Sequence, residues 1–192
     1  MRKKTGDLKI EISAGALIIL AIFLLVLPLQ WVIAAILAAV IHELCHTLVT
    51  LLSGGNLTSI YIGGRGTVIT ATGLSVKREI VASLAGPLGS LCLLFLARWM
   101  PRTAICGCVH GIYNLIPLLP FDGGRILRNV LIALLSPPNA YRVFQFTQRI
   151  ILILVGILCC VIAGKIGIIV LAIPTFILWQ NRRQILLAKI PF

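Results

Sequence analysis

Two histidines and a glutamate fall within five consecutive positions, His42-Glu43-Leu44-Cys45-His46. On an α-helix residues i and i+4 share a face, so both imidazoles can reach one Zn²⁺ while Glu43, beside the first, addresses a water molecule held there. With 3 His and 5 acidic residues in 192, this H-E-x-x-H spacing arises by accident about once in 800 chains of the same composition. It lies inside the apolar run Trp31 to Leu52, and ionisable groups placed in such a run are costly and usually functional. The structural alternative is a hydrogen-bonded polar packing cluster.

Two imidazoles leave a zinc site short of a third protein ligand, with one position open for water. Of the five acids, Asp7, Glu11 and Glu79 flank apolar runs and Glu43 has its own role, which leaves Asp122. Its setting is Asn114-Leu115-Ile116-Pro117-Leu118-Leu119-Pro120-Phe121-Asp122-Gly123-Gly124. The prolines force the backbone out of helix there, and the glycine pair permits a tight turn that can aim the carboxylate inward. His46 stands about six residues, roughly 9 Å, from the end of its helix, a depth that an unwound segment can meet. An ordinary Asp-Gly turn capping the next helix is the competing reading.

These residues sit in a chain that is 59% apolar, 11% charged and +1.08 in mean hydropathy. Soluble domains carry about 25% charged residues, so an ordinary cytosolic enzyme is excluded and a single polytopic membrane domain, spanning residues 1–192, is expected. The net charge of +12 does not indicate nucleic acid, because the basic residues stand at the ends of apolar segments and lack interleaved aromatics. Six cysteines, at positions 45, 92, 106, 108, 159 and 160, lie in apolar runs without paired CxxC units. They read as small buried apolar residues, neither disulfides nor thiolate ligands. Met1-Arg2-Lys3-Lys4 before an apolar run resembles a secretory signal, but cleavage near Ala34 or Ala38 would fall just short of His42, so an uncleaved first span is expected.

The fold class expected is all-α and polytopic, with about six transmembrane helices and a short β-hairpin between spans two and three. Ser13 to Leu29 is the first span, ended by Pro28, and Trp31 opens a second that Gly54-Gly55 terminates. Asn56 to Ser75 is rich in Gly, Thr and β-branched residues and predicts a hairpin turning at Gly63-Gly64-Arg65-Gly66. A third span runs from Ile80 to Trp99, and a fourth follows Pro101-Arg102 and stops at Pro117 and Pro120. Together Trp31 to Leu127 forms the core. An interfacial helix covers Ile126 to Leu135, and Pro137-Pro138-Asn139 breaks the chain before C-terminal helices over residues 140–181. Within them the run Ile150 to Trp179 divides near Gly164-Lys165 into two short or tilted spans, a five-span count being the alternative.

Cytoplasmic ends of spans collect Lys and Arg. Six spans with a cytoplasmic N-terminus place 14 of the 17 basic residues on that side and leave Arg98, Arg102 and Lys165 on the other. Both termini of the multi-pass protein are therefore expected in the cytoplasm.

With H-E-x-x-H in one run and Asn114 through Gly123 in another, the chain resembles the site-two protease family of intramembrane zinc metalloproteases. Ser83-Leu84-Ala85-Gly86-Pro87-Leu88 is similar to the Ala-Gly-Pro element of that family's intervening core span. The short chain and the wording Asn-Leu-Ile-Pro-Leu-Leu-Pro-Phe-Asp-Gly-Gly-Arg look most like the branch of stage IV sporulation protein FB. The resemblance implies one Zn²⁺ per chain held by His42, His46 and Asp122, with Glu43 as general base. It also implies a location in a bacterial cytoplasmic membrane and cleavage of a transmembrane or membrane-associated protein near the cytoplasmic face, a sporulation sigma-factor precursor being one candidate. Asn114 would hydrogen-bond the substrate carbonyl or developing oxyanion, although an interhelical packing bond explains it nearly as well. Many members place Asn shortly after Ala-Gly-Pro, where this chain has Gly89-Ser90, which puts a polar role there in question.

His110, one turn before Asn114, reads as a neutral hydrogen-bonded histidine, since a carboxylate already supplies the third ligand. Gly86-Pro87 reads as close packing and a kink. The Gly/Thr-rich hairpin either offers an exposed strand edge to an unwound substrate or simply rests in the interface as a connection. The expected partners are the lipid bilayer, a membrane protein substrate and inhibitory or regulatory membrane proteins. Two other functions fit the composition: a membrane metal or ion transporter, which would line a pathway across the bilayer with its polar groups, and a catalytically silent scaffold.

Overall fold

A computed structural model describes residues 9–63 and 66–166. They are mostly helical, and the chain divides into two compact units, Met1–Asn114 and Leu115–Phe192.

In the first unit, strand β1 (Lys9–Ile12) precedes helix α1 (Ala14–Val26) and helix α2 (Leu29–Leu52). Ser13 starts α1, its side chain accepting from the Ala16 N–H at 3.4 Å. Pro28 then separates the two helices, serving as the N-cap residue of α2. The 13 residues of α1 reach about 20 Å, short of the roughly 30 Å hydrocarbon thickness. The first span is thus shorter than the run from Ser13 to Leu29 suggested, because α1 stops at Val26, where Leu27, the residue before Pro28, takes extended backbone. No residue of α1 is buried, and several are half-buried, an openness that suits an apolar helix to a lipid surrounding.

α2 ends as its glycines dictate. Gly54 takes φ +82°, its N–H bonds the Leu51 carbonyl at 2.9 Å, and the Gly55 N–H bonds the Thr50 carbonyl at 2.9 Å. This doubly bonded ending satisfies carbonyls that would otherwise lie unpaired, and only glycine adopts the left-handed turn cheaply. Arg78 adds a third bond, its guanidinium donating to the Ser53 carbonyl at 3.0 Å.

Strands β2 (Asn56–Gly63) and β3 (Gly66–Thr72) pair antiparallel, with an irregularity between Leu57 and Ser59. The expected hairpin is present, although two of its four turn residues, positions 64 and 65, lie outside the described residues. It belongs to a larger sheet than expected: β1 pairs parallel to β2, Lys9 beside Ser59 through Ile12 beside Ile62, in the order β1-β2-β3. A four-residue strand gives little local signal, and its partner lies some fifty positions away, so this pairing is a tertiary outcome.

Helix α3 (Val76–Cys92) contains Pro87 and continues as a 3₁₀ segment, Leu93–Leu96. Helix α4 (Pro101–Asn114) packs against α2 and α3. Its buried residues are Thr103, Ala104, Gly107, Gly111 and Asn114. A Cβ on Gly107 would lie 2.7 Å from the Ser90 carbonyl oxygen, and one on Gly111 2.9 Å from that of Pro87. The small-xxx-small spacing therefore lets two backbones touch, the usual way helices associate in a membrane.

In the second unit, Leu115 to Phe121 is non-helical, with a cis Leu119-Pro120 bond, and leads into helices α5 (Asp122–Leu134) and α6 (Pro137–Ile166). α6 starts on Pro137, since the first helical turn has no use for its missing N–H. It continues through Gly164 and Lys165 to Ile166, where a turn was expected; the remainder of the C-terminal helices to residue 181 lies outside the described residues. Among the described residues three helical stretches are long and apolar enough to cross a membrane: Leu29–Leu52, Val76–Leu96 and Pro137–Val161. α4 is 14 residues long, about 21 Å.

All six cysteines are free, as expected, but only Cys159 is buried, while Cys92 and Cys160 are exposed. In a protein solvated by lipid, an apolar side chain need not enter the protein interior.

Candidate active site

The buried residues of α2 include Ala34, Ala38, His42, His46 and Thr50, a stripe at four-residue spacing. Small side chains at its start let neighbouring helices close in, and the histidines then meet what those helices carry. His42 is 2% and His46 8% exposed. Imidazoles at this depth need partners for their ring nitrogens.

α3 supplies them. His46 Nδ1 lies 2.7 Å from the Ala82 carbonyl oxygen. A carbonyl only accepts, so Nδ1 carries a proton, and in the neutral ring Nε2 then presents a lone pair. His42 Nδ1 lies 2.8 Å from the Ser90 hydroxyl oxygen, and Ser90 is completely buried. The two Nε2 atoms face each other at 3.0 Å. With a lone pair on one of them, the pair shares either a proton or a cation. Two nitrogens bound tetrahedrally to zinc at 2.0–2.1 Å would stand roughly 3.3 Å apart, so the donor set fits that ion closely.

Gly86 completes this wall of α3. A Cβ there would overlap Nε2, Cε1 and Cδ2 of His46, and one on Gly89 would overlap Cys45 Sγ. Ala82, Gly86 and Ser90 are successive residues on one helical face: a carbonyl for one ring, space for that ring, and a hydroxyl for the other. The Ala-Gly-Pro element was expected only to pack and kink; its glycine makes room for a candidate ligand.

Glu43 is half-buried on α2 beside His42. α4 brings His110 to the other side of His42, ring centroids 4.5 Å apart and near perpendicular. The Tyr113 hydroxyl is 3.2 Å from His110 Nδ1, in keeping with a hydrogen-bonded histidine. Asn114, 9% exposed, ends α4 and donates from Nδ2 to the His110 carbonyl at 3.1 Å. That bond leaves a second amide N–H and the amide oxygen.

Asp122 is the first residue of α5 and 7% exposed, where the helix dipole favours a carboxylate. Arg125 Nη1 lies 3.8 Å from its Oδ1. Gly123 and Gly124 are required beside it, because a Cβ on either would run into the backbone of Leu115, Ile116, Leu118 or Leu119. His42 and His46 in the first unit and Asp122 in the second are all buried, and two imidazoles and a carboxylate are the residue types that hold a catalytic metal ion.

A sequence profile described as Peptidase M50B-like matches residues 15–121. The chain belongs to this family. A second profile, Peptidase family M50, matches residues 94–158 of the M50B-like chain. Its fold is similar to that of the Site-2 Protease from Methanocaldococcus jannaschii, with a TM-score of 0.64 and 21% identity over 95% of this chain and 93% of that one. No curated protein sequence matches. Family membership together with the facing α2 imidazoles supports a membrane-embedded metallopeptidase, and the three long apolar helices support an integral membrane protein.

Two residues of this M50B-like peptidase matter more than the sequence implies: Ser90, whose polar role the sequence left in question, and one on α6. Ser90 carried a signal, standing four residues after Gly86, but a serine in a membrane helix usually bonds its own backbone. Gln148, 1% exposed on α6, is the other.

Proposed function

We propose that the chain is a zinc-dependent intramembrane endopeptidase. It hydrolyses a peptide bond of a transmembrane or membrane-associated protein near the cytoplasmic face, with His42, His46 and Asp122 as metal ligands and Glu43 as general base. The observation that carries this reading is the bond between His46 Nδ1 and the Ala82 carbonyl at 2.7 Å, which commits Nε2 of the neutral ring to accepting, with a second Nε2 3.0 Å away. A histidine retained only for packing has no need of that arrangement, whereas metal-binding histidines are held in this way.

Bound zinc supplies polarisation of the scissile carbonyl and brings the pKa of water to about 7. Glu43 takes the proton of the attacking water and returns it to the leaving amine, the acid and base duties one carboxylate performs in turn. Asn114 directs its second amide N–H to the substrate carbonyl oxygen, where negative charge develops. The substrate must be extended to be cut, and β3 ends the sheet order with an outer edge that can accept it as a further strand. The likeness of the Asn114–Gly124 segment to the FB branch favours a sporulation sigma-factor precursor as substrate, and the bias of basic residues favours cytoplasmic termini.

Among the described residues Ser90 and His110 gather around the α2 histidines, a concentration at one depth that favours a reaction centre over a transporter. The test is the Glu43→Gln variant in detergent or liposomes with a membrane-tethered substrate. Zinc content should match the wild type while cleavage disappears, whereas His46→Ala should lose both. Unchanged cleavage by Glu43→Gln would refute the role of Glu43, and a wild type that binds zinc but cleaves nothing would favour the silent scaffold.

A further inference from the structure

Gln148 stands near the middle of α6, inside the stretch Pro137–Val161 that is long and apolar enough to cross a membrane. A primary amide placed there and 1% exposed must find partners in the protein. Its Oε1 accepts from the Leu119 N–H at 2.9 Å and its Nε2 donates to the Pro117 carbonyl at 2.7 Å. Both partners belong to the non-helical segment between α4 and α5, over which Pro117 and Pro120 have no N–H to offer.

Within this segment, the Leu118 N–H bonds the Ile116 carbonyl at 2.7 Å and the Phe121 N–H bonds the Leu118 carbonyl at 2.9 Å. The Leu119 N–H and the Pro117 carbonyl are the groups Gln148 takes. Irregular backbone at membrane depth is tolerated only where its polar groups are satisfied by protein or water, and one side chain here satisfies a donor and an acceptor at once. The segment in turn fixes the start of α5. Leu118 is fully buried, Phe121 caps the helix, and a Cβ on Gly124 would come within 2.5 Å of the Leu118 carbonyl carbon and the Leu119 nitrogen. Asp122 lies between the clamped backbone and that contact.

We infer that Gln148 is a positioning residue for the Asp122 carboxylate: it clamps the proline segment so that Asp122 is held as a metal ligand, and it acts on metal affinity through Asp122 alone. This rests on the zinc reading above. Gln148→Leu removes both hydrogen bonds, and Gln148→Glu keeps the shape and the acceptor while losing the donor.

The experiment measures zinc affinity by chelator competition on the full-length protein in detergent, with the melting temperature of the zinc-stripped protein recorded alongside. Gln148→Leu should weaken zinc binding by tenfold to a hundredfold, the range for outer-shell partners of metal ligands, and Gln148→Glu by less. The deciding arm is Asp122→Ala: in that background Gln148→Leu should weaken zinc no further, because the group it positions is gone. An equal additional loss in that background, or wild-type affinity in both Gln148 variants, would overturn the inference while leaving the zinc reading intact. A fall in the melting temperature with unchanged affinity would mark Gln148 as purely structural and overturn it too. Should Gln148→Leu fail to fold, Gln148→Glu carries the same comparison. Wild-type protein that takes up no zinc would instead overturn the reading beneath it.

Discussion

Ser90 holds its hydroxyl oxygen 2.8 Å from Nδ1 of His42, in a position from which solvent is fully excluded. Once His42 Nε2 gives its lone pair to a metal, Nδ1 bears the proton and the serine becomes its acceptor, fixing both ring orientation and tautomer. Ser90→Ala should therefore weaken zinc binding by about tenfold to a hundredfold, measured by chelator competition. Ser90→Thr keeps the hydroxyl and should recover much of the loss if its methyl is accommodated. Equal affinity of Ser90→Ala and wild type would remove Ser90 from the site.

Gly86→Ala places a methyl group where the His46 ring stands. Alanine is the better helix former by about 1 kcal/mol, but the ring must leave its position and the Ala82 carbonyl with it. Zinc affinity should fall at least tenfold. In a His46→Ala background the same substitution should cost no stability, because the obstructing ring is absent, and thermal unfolding of the double variant reads this directly.

Gly111 and Gly156 separate two meanings of a glycine in a helix. A Cβ on Gly111 would meet the Pro87 carbonyl oxygen at 2.9 Å, and none of the described residues lies within 4 Å of one on Gly156. Gly111→Ala should destabilise by about 1–3 kcal/mol through forced separation of α3 and α4. Gly156→Ala should stabilise by up to about 1 kcal/mol. Equilibrium unfolding in mixed micelles would show the opposite signs.

Gly54, with φ +82°, ends the helix that carries both histidines. Gly54→Ala should cost about 1–2 kcal/mol for the left-handed conformation, lowering thermal stability. Zinc affinity should change little, since His46 lies two turns away. A large drop in affinity would mean that the strain is transmitted along α2.

The sequence by itself determined the features whose cause is local. The H-E-x-x-H spacing puts His42 and His46 on one face of any helix, Pro117 and Pro120 must interrupt one, and Gly54-Gly55 can end one. Tertiary structure alone decided which partners those groups meet. The Ala82 carbonyl, the room above Gly86 and the Ser90 hydroxyl lie 36 to 48 positions from the histidines they serve, and Gln148 reaches back 29 and 31 positions to the proline segment. β1 likewise finds β2 across both α1 and α2. A hydrogen-bond partner brought in from another helix leaves no periodicity in either segment, since each is apolar for the sake of lipid as much as for packing. Only the close approach of the helix backbones, set by small residues, selects the polar atoms that face one another.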